Sequence, residues 1–343
     1  MAKSYRKETE NKYNNKIDDE LSNLPEFVND YNEHIKLSVE ASSRFVYITD
    51  IRQFFEYVSE NMEIDIKSIT PDILENLSVN YLSRYLSYNQ KYEKNGSINT
   101  NENITIKRKL TAIRNLYAYL YNMDIIQINP TLKLETPKIK QKNISRLDDE
   151  ETRQFLEIVE HGYGLTGKRL QYHLKYGKRD YTILALMLGT GIRVSECVGL
   201  NIQDVNLKNH SIKIIRKGNK EDIVYYSDKL TEILREYIFI YRKPIIPIEG
   251  HEDALFYSTQ RKRMGVRSIE LMIEKYALES GVAKHVTPHL LRRSFGSKLY
   301  NETGDLYLVS STLGHSSVET TKRHYAAISE QHKIENRNAI ELP

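Results

Sequence analysis

At 343 residues, 40% hydrophobic and 28% charged with a net charge of +4, the chain is long enough for two compact cores and has a globular balance. No apolar run approaches the roughly 18 residues of a membrane span, and the charged start Met1-Ala-Lys-Ser-Tyr-Arg-Lys has no apolar stretch behind it, so neither a membrane anchor nor a secretory signal is expected. The single cysteine, Cys197, excludes an internal disulfide and fits a reducing cytoplasm; beside Val198 and Leu200 it reads as a small buried hydrophobe rather than a nucleophile.

Residues 1–20 are polar and charged without a clear period, which predicts a flexible, lightly packed start. From Pro25 to about Tyr121 the apolar residues recur at helical spacing. Phe45, Ile48, Ile51, Phe55 and Val58 form one stripe, and Ile106, Leu110, Ile113, Tyr117 and Leu120 form another. Thr70-Pro-Asp-Ile-Leu opens a helix with a threonine cap and proline in the first turn. The Asn-, Ser- and Gly-rich stretch Lys91–Asn103 predicts a loop between helices. A small all-helical domain over 21–135 follows. Lys107 and Arg114, seven residues apart, share a helix face opposite the apolar stripe, so that with Arg108 and Lys109 the helix presents cations to a phosphate backbone.

Asn129-Pro130 is expected to end the last helix of that domain, because proline disfavours helical geometry in the residue before it. The stretch 136–146 is polar, proline-bearing and basic, with Lys138, Lys140 and Lys142, and makes the best domain boundary in the chain. Between Thr105 and Arg146 the only acids are Asp124 and Glu135. A local basic stripe in a nearly neutral protein suits contact with phosphates; a solvated linker is the plainer alternative.

A second domain over 147–343 opens at Asp148-Asp-Glu-Glu, acids that favour a helix N-terminus, with a helix over Thr152–Val159. The segment His161–Lys178, with Gly162, Gly164, Gly167 and Gly177, has no clear assignment. An apolar run from Tyr181 to Leu188 leads into Gly189-Thr-Gly-Ile-Arg193. Ser211–Arg216 and Asp222–Tyr226 alternate around Lys217-Gly-Asn-Lys220, which predicts a β-hairpin. The remainder is expected to be helical, with Thr287-Pro288 capping a helix from His289 and Gly304 closing it. The fold class is therefore mainly α with a small β-sheet.

The chemistry is concentrated late in the chain. Attack on a phosphodiester by a side-chain oxygen builds charge on the non-bridging oxygens, and preorganised cations are the main catalytic resource. Arg193 and Arg292 are candidates, since a guanidinium donates bidentately and stays charged. His289 and His315 suit proton handling or positioning. Lys217, at a hairpin tip, is placed to protonate a leaving 5′-oxygen. Tyr325 is the candidate nucleophile, forming a 3′-phosphotyrosine that conserves bond energy for rejoining. Each alone has a plain reading: Arg193 in an ion pair with Glu196, Lys217 as a soluble turn residue, each histidine structural, and Tyr325 one of 25 tyrosines. The order Arg, Lys, His-x-x-Arg, His, Tyr carries the case.

Gly189-Thr-Gly-Ile-Arg-Val-Ser-Glu196, Lys217 in Arg-Lys-Gly-Asn-Lys220, His289-Leu-Leu-Arg292, Leu313-Gly-His315 and Thr320-Thr-Lys-Arg-His-Tyr325 resemble the motifs of the tyrosine recombinases, the phage-integrase family. Thr105–Leu120 looks like the DNA-contacting helix of Xer-type members, so the resemblance covers most of the chain and is nearest to the single-protein Xer branch. It implies an N-terminal helical core-binding (SAM-like) domain and a C-terminal α+β catalytic domain closing as a C-shaped clamp on duplex DNA. It further implies a homotetramer that synapses two sites with paired half-sites and exchanges strands through a Holliday junction, without metal, ATP or other cofactor. A DNA translocase or another accessory protein is the implied activator. Ile328–Ile340 is available to dock on a neighbouring protomer, or to fold back on its own domain.

One departure stands out. Tyr325 lies one residue farther from His315 than the family's usual spacing, and His324 takes the expected place; an extra helical residue turns a side chain by about 100°, so a looser turn is expected after Ser317. Three other functions fit the same residues less well: an integrase or inverting recombinase of a mobile element, a type IB topoisomerase, and a DNA-binding protein with an inactive catalytic domain.

Overall fold

The computed structural model describes residues 2–94, 97–139, 145–314, 317–319 and 321–322. The chain divides into two compact units, one over Lys3–Lys142 and one from Asn143 onward.

The N-terminal unit comprises α1 (Ala2–Leu21), α2 (Glu26–Lys36), α3 (Ala41–Met62), α4 (Pro71–Glu75), α5 (Val79–Gln90), the strands β1 (Lys91–Lys94) and β2 (Ser97–Thr100), and α6 (Asn103–Asn122). Both expected stripes face its core. Ile48, Ile51, Phe55 and Val58 of α3 are fully buried beside Phe54, while Phe45 is half-buried; the whole α6 stripe from Ile106 to Leu120 is buried. Each such Ile or Phe contributes roughly 1.5–3 kcal/mol. Thr70 caps α4, its hydroxyl accepting from the Ile73 amide at 3.4 Å.

Three expectations for this unit are corrected. Residues 2–20 are helical in α1 rather than a flexible start, with Ile17 and Leu21 in the core; so few buried anchors in a polar helix leave no visible period. Lys91–Asn103 contains an antiparallel hairpin, with Tyr92 opposite Asn99, where a loop was expected. α6 ends at Asn122, before Asp124 in a left-handed conformation (φ 56°), and Pro130 opens a separate 3-10 turn capped by Asn129.

The second unit begins with α7 (Asp149–His161), whose start carries a reciprocal cap: the Glu151 amide donates to Asp148 at 2.8 Å and the Asp148 amide to Glu151 at 2.9 Å. α8 (Gly167–Thr190) takes up most of the unassigned 161–178 segment. There the His173 ring is buried, with Nδ1 3.2 Å from the Tyr276 hydroxyl. Asp180, wholly buried, accepts from Arg179 Nη2 at 2.7 Å and from Tyr276 at 3.2 Å. α9 (Val194–Gly199) follows, then a three-stranded antiparallel sheet in the order β3 (Val205–Asn206), β4 (Ser211–Ile215), β5 (Glu221–Tyr225). The expected hairpin β4–β5 forms, with Ile215 opposite Glu221 and the turn closed by the Arg216 amide on the Lys220 carbonyl at 2.8 Å; β3 was not anticipated.

Beyond the sheet lie α10 (Asp228–Glu236), a π-helical turn over Tyr237–Arg242, α11 (Val266–Ser280), α12 (Pro288–Thr303) and α13 (Leu306–Leu313). The expected helical run is broken between Lys243 and Gly265. Arg242 pins that stretch through the Ala254 carbonyl (2.9 Å from Nε) and the Tyr257 hydroxyl (2.9 Å). Thr287 caps α12, its hydroxyl accepting from the Leu290 amide at 3.1 Å, and Gly304 ends it. Among the described residues no helix is long and apolar enough to cross a membrane.

Candidate active site

Arg193 stands at the junction of α8 and α9. Gly191 makes the junction by ending α8 in a left-handed conformation (φ 64°), and a Cβ there would come within 2.3 Å of the Phe295 ring. Arg193 then caps α9, with its amide donating to Glu196 Oε2 and its Nη1 to Glu196 Oε1, both at 2.8 Å. Arg292 points inward from α12 and is 4% exposed. Its Nη1 donates to the Gly191 carbonyl at 2.5 Å and its Nη2 to the Leu313 carbonyl. Arg193 Nη2 donates to the next carbonyl, Gly314, at 3.2 Å. Two cations far apart in sequence thus converge where α13 ends, directly before His315.

A third guanidinium, not singled out from the sequence, completes the cluster. Arg216 follows β4 and donates from Nη1 to the Leu313 carbonyl at 3.0 Å, from Nη2 to the Thr312 carbonyl at 2.7 Å, and from Nε to Asp222 at 2.7 Å. Its Nη1 also lies 3.7 Å from Glu196 Oε2. Carbonyls at a helix C-terminus carry partial negative charge and favour cations; here Thr312, Leu313 and Gly314 receive all three arginines. Gly314 (φ 59°) is required at this point, since a Cβ would sit 2.6 Å from Arg216 Cζ. The Glu196 and Asp222 carboxylates hold two of the three guanidiniums, Arg193 and Arg216, from the other side. The signal for Arg216 was present: Ile212 and Ile214 are buried, and period-two alternation carries the inward face on to position 216.

Lys217 is exposed in the turn that follows, where Gly218 and Asn219 both have positive φ. His289, near the start of α12, is exposed and lies three residues before Arg292, which puts both on one side of that helix. His315, His324 and Tyr325, and with them the His315-to-Tyr325 spacing and the segment Ile328–Ile340, lie outside the described residues. Cys197 is buried, and burial pushes its thiol up to about 12. That rules out a thiolate nucleophile near neutral pH. No group of three or more His, Cys, Asp or Glu that could hold a metal ion occurs among the described residues.

The basic stripe of the N-terminal unit is only partly a surface. Lys107 is exposed on α6. Arg108 is half-exposed and paired with Asp50 of α3. Lys109 is buried, 3% exposed, with Nζ 3.7 Å from Asp50 Oδ1 and donating to Gln53, so it does not stand on the face assigned to DNA. Its position explains this: three residues after Ile106 and four before Ile113, it falls on the core stripe. Burial pushes the Lys109 ammonium below and the Asp50 carboxyl above their usual ranges, with each partner's charge acting against those shifts. Arg114 ties down the chain beyond the helix, donating to the Leu134 carbonyl at 2.5 Å and the Thr136 hydroxyl at 2.9 Å. Lys138 is exposed, and Lys140 and Lys142 lie outside the described residues.

Residues 145–332 match the phage integrase family. The tyrosine recombinase XerS of Streptococcus thermophilus is 32% identical to the chain, over 93% of its length and 96% of the relative's. The tyrosine recombinase XerC of Thermodesulfovibrio yellowstonii is 29% identical over 92% and 96%. In fold the chain is similar to the XerH site-specific recombinase in a post-cleavage complex with a palindromic difH substrate, with TM-score 0.64 and 20% identity over 86% of this chain and 78% of that one. It is also similar in fold to a lambda integrase fragment crystallised as a dimer on a core site, with TM-score 0.62 and 14% identity over 87% and 93%.

Proposed function

Because the chain belongs to the phage integrase family and is an Xer-type tyrosine recombinase, we propose that it cuts and rejoins duplex DNA at paired half-sites, acting in chromosome dimer resolution. The observation that carries this reading is the meeting of Arg193, Arg216 and Arg292 on three successive carbonyls next to His315. Pinning by carbonyls fixes the plane of each fork before substrate arrives, which is what electrostatic preorganisation requires.

In this reading Tyr325 attacks the phosphorus as the P–O5′ bond breaks, leaving a 3′-phosphotyrosine and a free 5′-hydroxyl. Arg193 and Arg292 hold the non-bridging oxygens, His289 and His315 position them and take the phenolic proton, and Lys217 gives its proton to the leaving oxygen. Strand exchange proceeds through a Holliday junction within a homotetramer on two synapsed sites, in the cytoplasm. Lys107, Arg108 and Lys138 supply phosphate contacts from the N-terminal unit. The test is Tyr325→Phe on a nicked suicide substrate: covalent DNA–protein complex is expected to vanish while a gel shift on the same site persists. A Tyr325→Phe protein that still traps 3′-linked DNA would end the assignment.

A further inference from the structure

We infer that Arg216 is a positioning residue that sets Lys217 for leaving-group protonation, by bolting the hairpin to the end of α13. This rests on the reading of Lys217 as the general acid given above. The case is one of connectivity. Arg216 is the residue next to Lys217, is buried, and holds three parts of the unit together with a single planar group. Through Nε it grips Asp222, at the start of the returning strand (2.7 Å); through Nη1 and Nη2 it grips the Leu313 and Thr312 carbonyls (3.0 and 2.7 Å). Its backbone amide closes the same turn on the Lys220 carbonyl at 2.8 Å.

The turn itself lies at the surface. Residues 217–221 are all exposed, and Gly218 and Asn219 adopt left-handed conformations. Lys217 therefore inherits its place from the residue behind it. The same guanidinium shares the Leu313 carbonyl with Arg292 and lies 3.7 Å from the Glu196 carboxylate that holds Arg193. The proposed proton donor and the proposed phosphate clamp are thereby built on one common fixture. Lysine at 216 would keep the charge but cannot span Asp222 and two carbonyls with a single ammonium.

The chemistry offers a readout that a general loss of packing does not move. Cleavage forms the tyrosine O–P bond and breaks P–O5′, and the departing 5′-oxygen takes a proton from the Lys217 ammonium. If that oxygen is replaced by sulfur, the thiolate departs without needing the proton. Arg216→Lys, Arg216→Ala and Lys217→Ala would each be assayed for single-turnover cleavage of suicide substrates carrying a 5′-bridging oxygen or sulfur. We expect Arg216→Ala and Arg216→Lys to slow both substrates to some extent, because Arg216 shares the Leu313 carbonyl with Arg292, and to slow the oxygen substrate by a further factor of roughly ten or more over the sulfur substrate, up to the 10²–10⁴ that a general acid supplies. Equal slowing on both substrates by the folded Arg216→Lys protein, with Lys217→Ala rescued by sulfur, overturns the role of Arg216 alone. Failure of sulfur to rescue Lys217→Ala overturns the reading of Lys217 as the acid. Circular dichroism identifies any unfolded variant, and Asp222→Asn, which loosens the same fixture from its other side, is expected to show the same sulfur rescue in weaker form.

Discussion

Asp50 and Lys109 make the sharpest separation between residues that hold the N-terminal unit together and residues that hold DNA. Both are almost wholly buried between α3 and α6, and Gln53 adds a second acceptor to the lysine. Removing one partner leaves the other charge in an apolar surround, a change that costs about 3–5 kcal/mol, whereas replacing both with apolar groups of similar size is close to neutral. Asp50→Ala is therefore expected to lower the melting temperature by about 10 °C, at roughly 2–4 °C per kcal/mol. Arg108, half-exposed, regains water when its partner is lost and adds little to that figure. The double replacement Asp50→Leu with Lys109→Met is expected to melt within a few degrees of the unaltered protein. In DNA titrations at several salt concentrations, the double variant should keep the slope of log K against log salt. Lys107→Ala should reduce that slope by about 0.9, one phosphate contact. A drop under about 3 °C for Asp50→Ala, or a slope in the double variant as reduced as that of Lys107→Ala, would refute the division.

Two further outcomes follow from the second unit. Gly191→Ala imposes about 1–2 kcal/mol for a left-handed alanine and drives a Cβ into Phe295. The yield of covalent complex should fall with stability, because the carbonyl that moves is the one holding Arg292, and Phe295→Leu in the same chain should restore only part of it. His173 is held below the ordinary histidine range by burial and by the nearby charges of Lys275 and His161. The folded state therefore binds fewer protons than the unfolded one, and stability is lost as pH falls from neutral through the ordinary histidine range. Melting curves at about pH 7.5 and 5.5 should show a larger drop for the unaltered protein than for His173→Phe; parallel drops would sink the idea.

Much of this was legible in the sequence because it rests on period and punctuation. The α6 stripe, the Thr70 and Thr287 caps and the β4–β5 hairpin follow from local rules that tertiary packing did not override. The failures share a physical cause. α1 holds few apolar anchors in a polar helix, and Lys91–Asn103 pairs with itself through backbone groups that composition does not report. Lys109 was counted as a cation by type when its place on the Ile106–Ile113 stripe already put it inside. At the candidate site, the sequence order of Arg193, Lys217, His289 and Arg292 was readable. That Arg193 and Arg292 share an acceptor segment with Arg216 was not, because contacts across so many positions leave no local trace.

That shared acceptor has a consequence for how the chain tolerates change. Leu313 offers one carbonyl oxygen to two guanidiniums, and Gly314 is small because one of them, Arg216, fills the space its side chain would take. Positions 193, 196, 216, 292 and 314 therefore form a single mutational block. Replacements within it should depart from additivity by about 0.5–3 kcal/mol, and a smaller residue at 216 would open room at 314 without relieving its left-handed backbone. Drift at any one of these places is judged by the other four, so descendants of this sequence would carry the set together or rebuild it together.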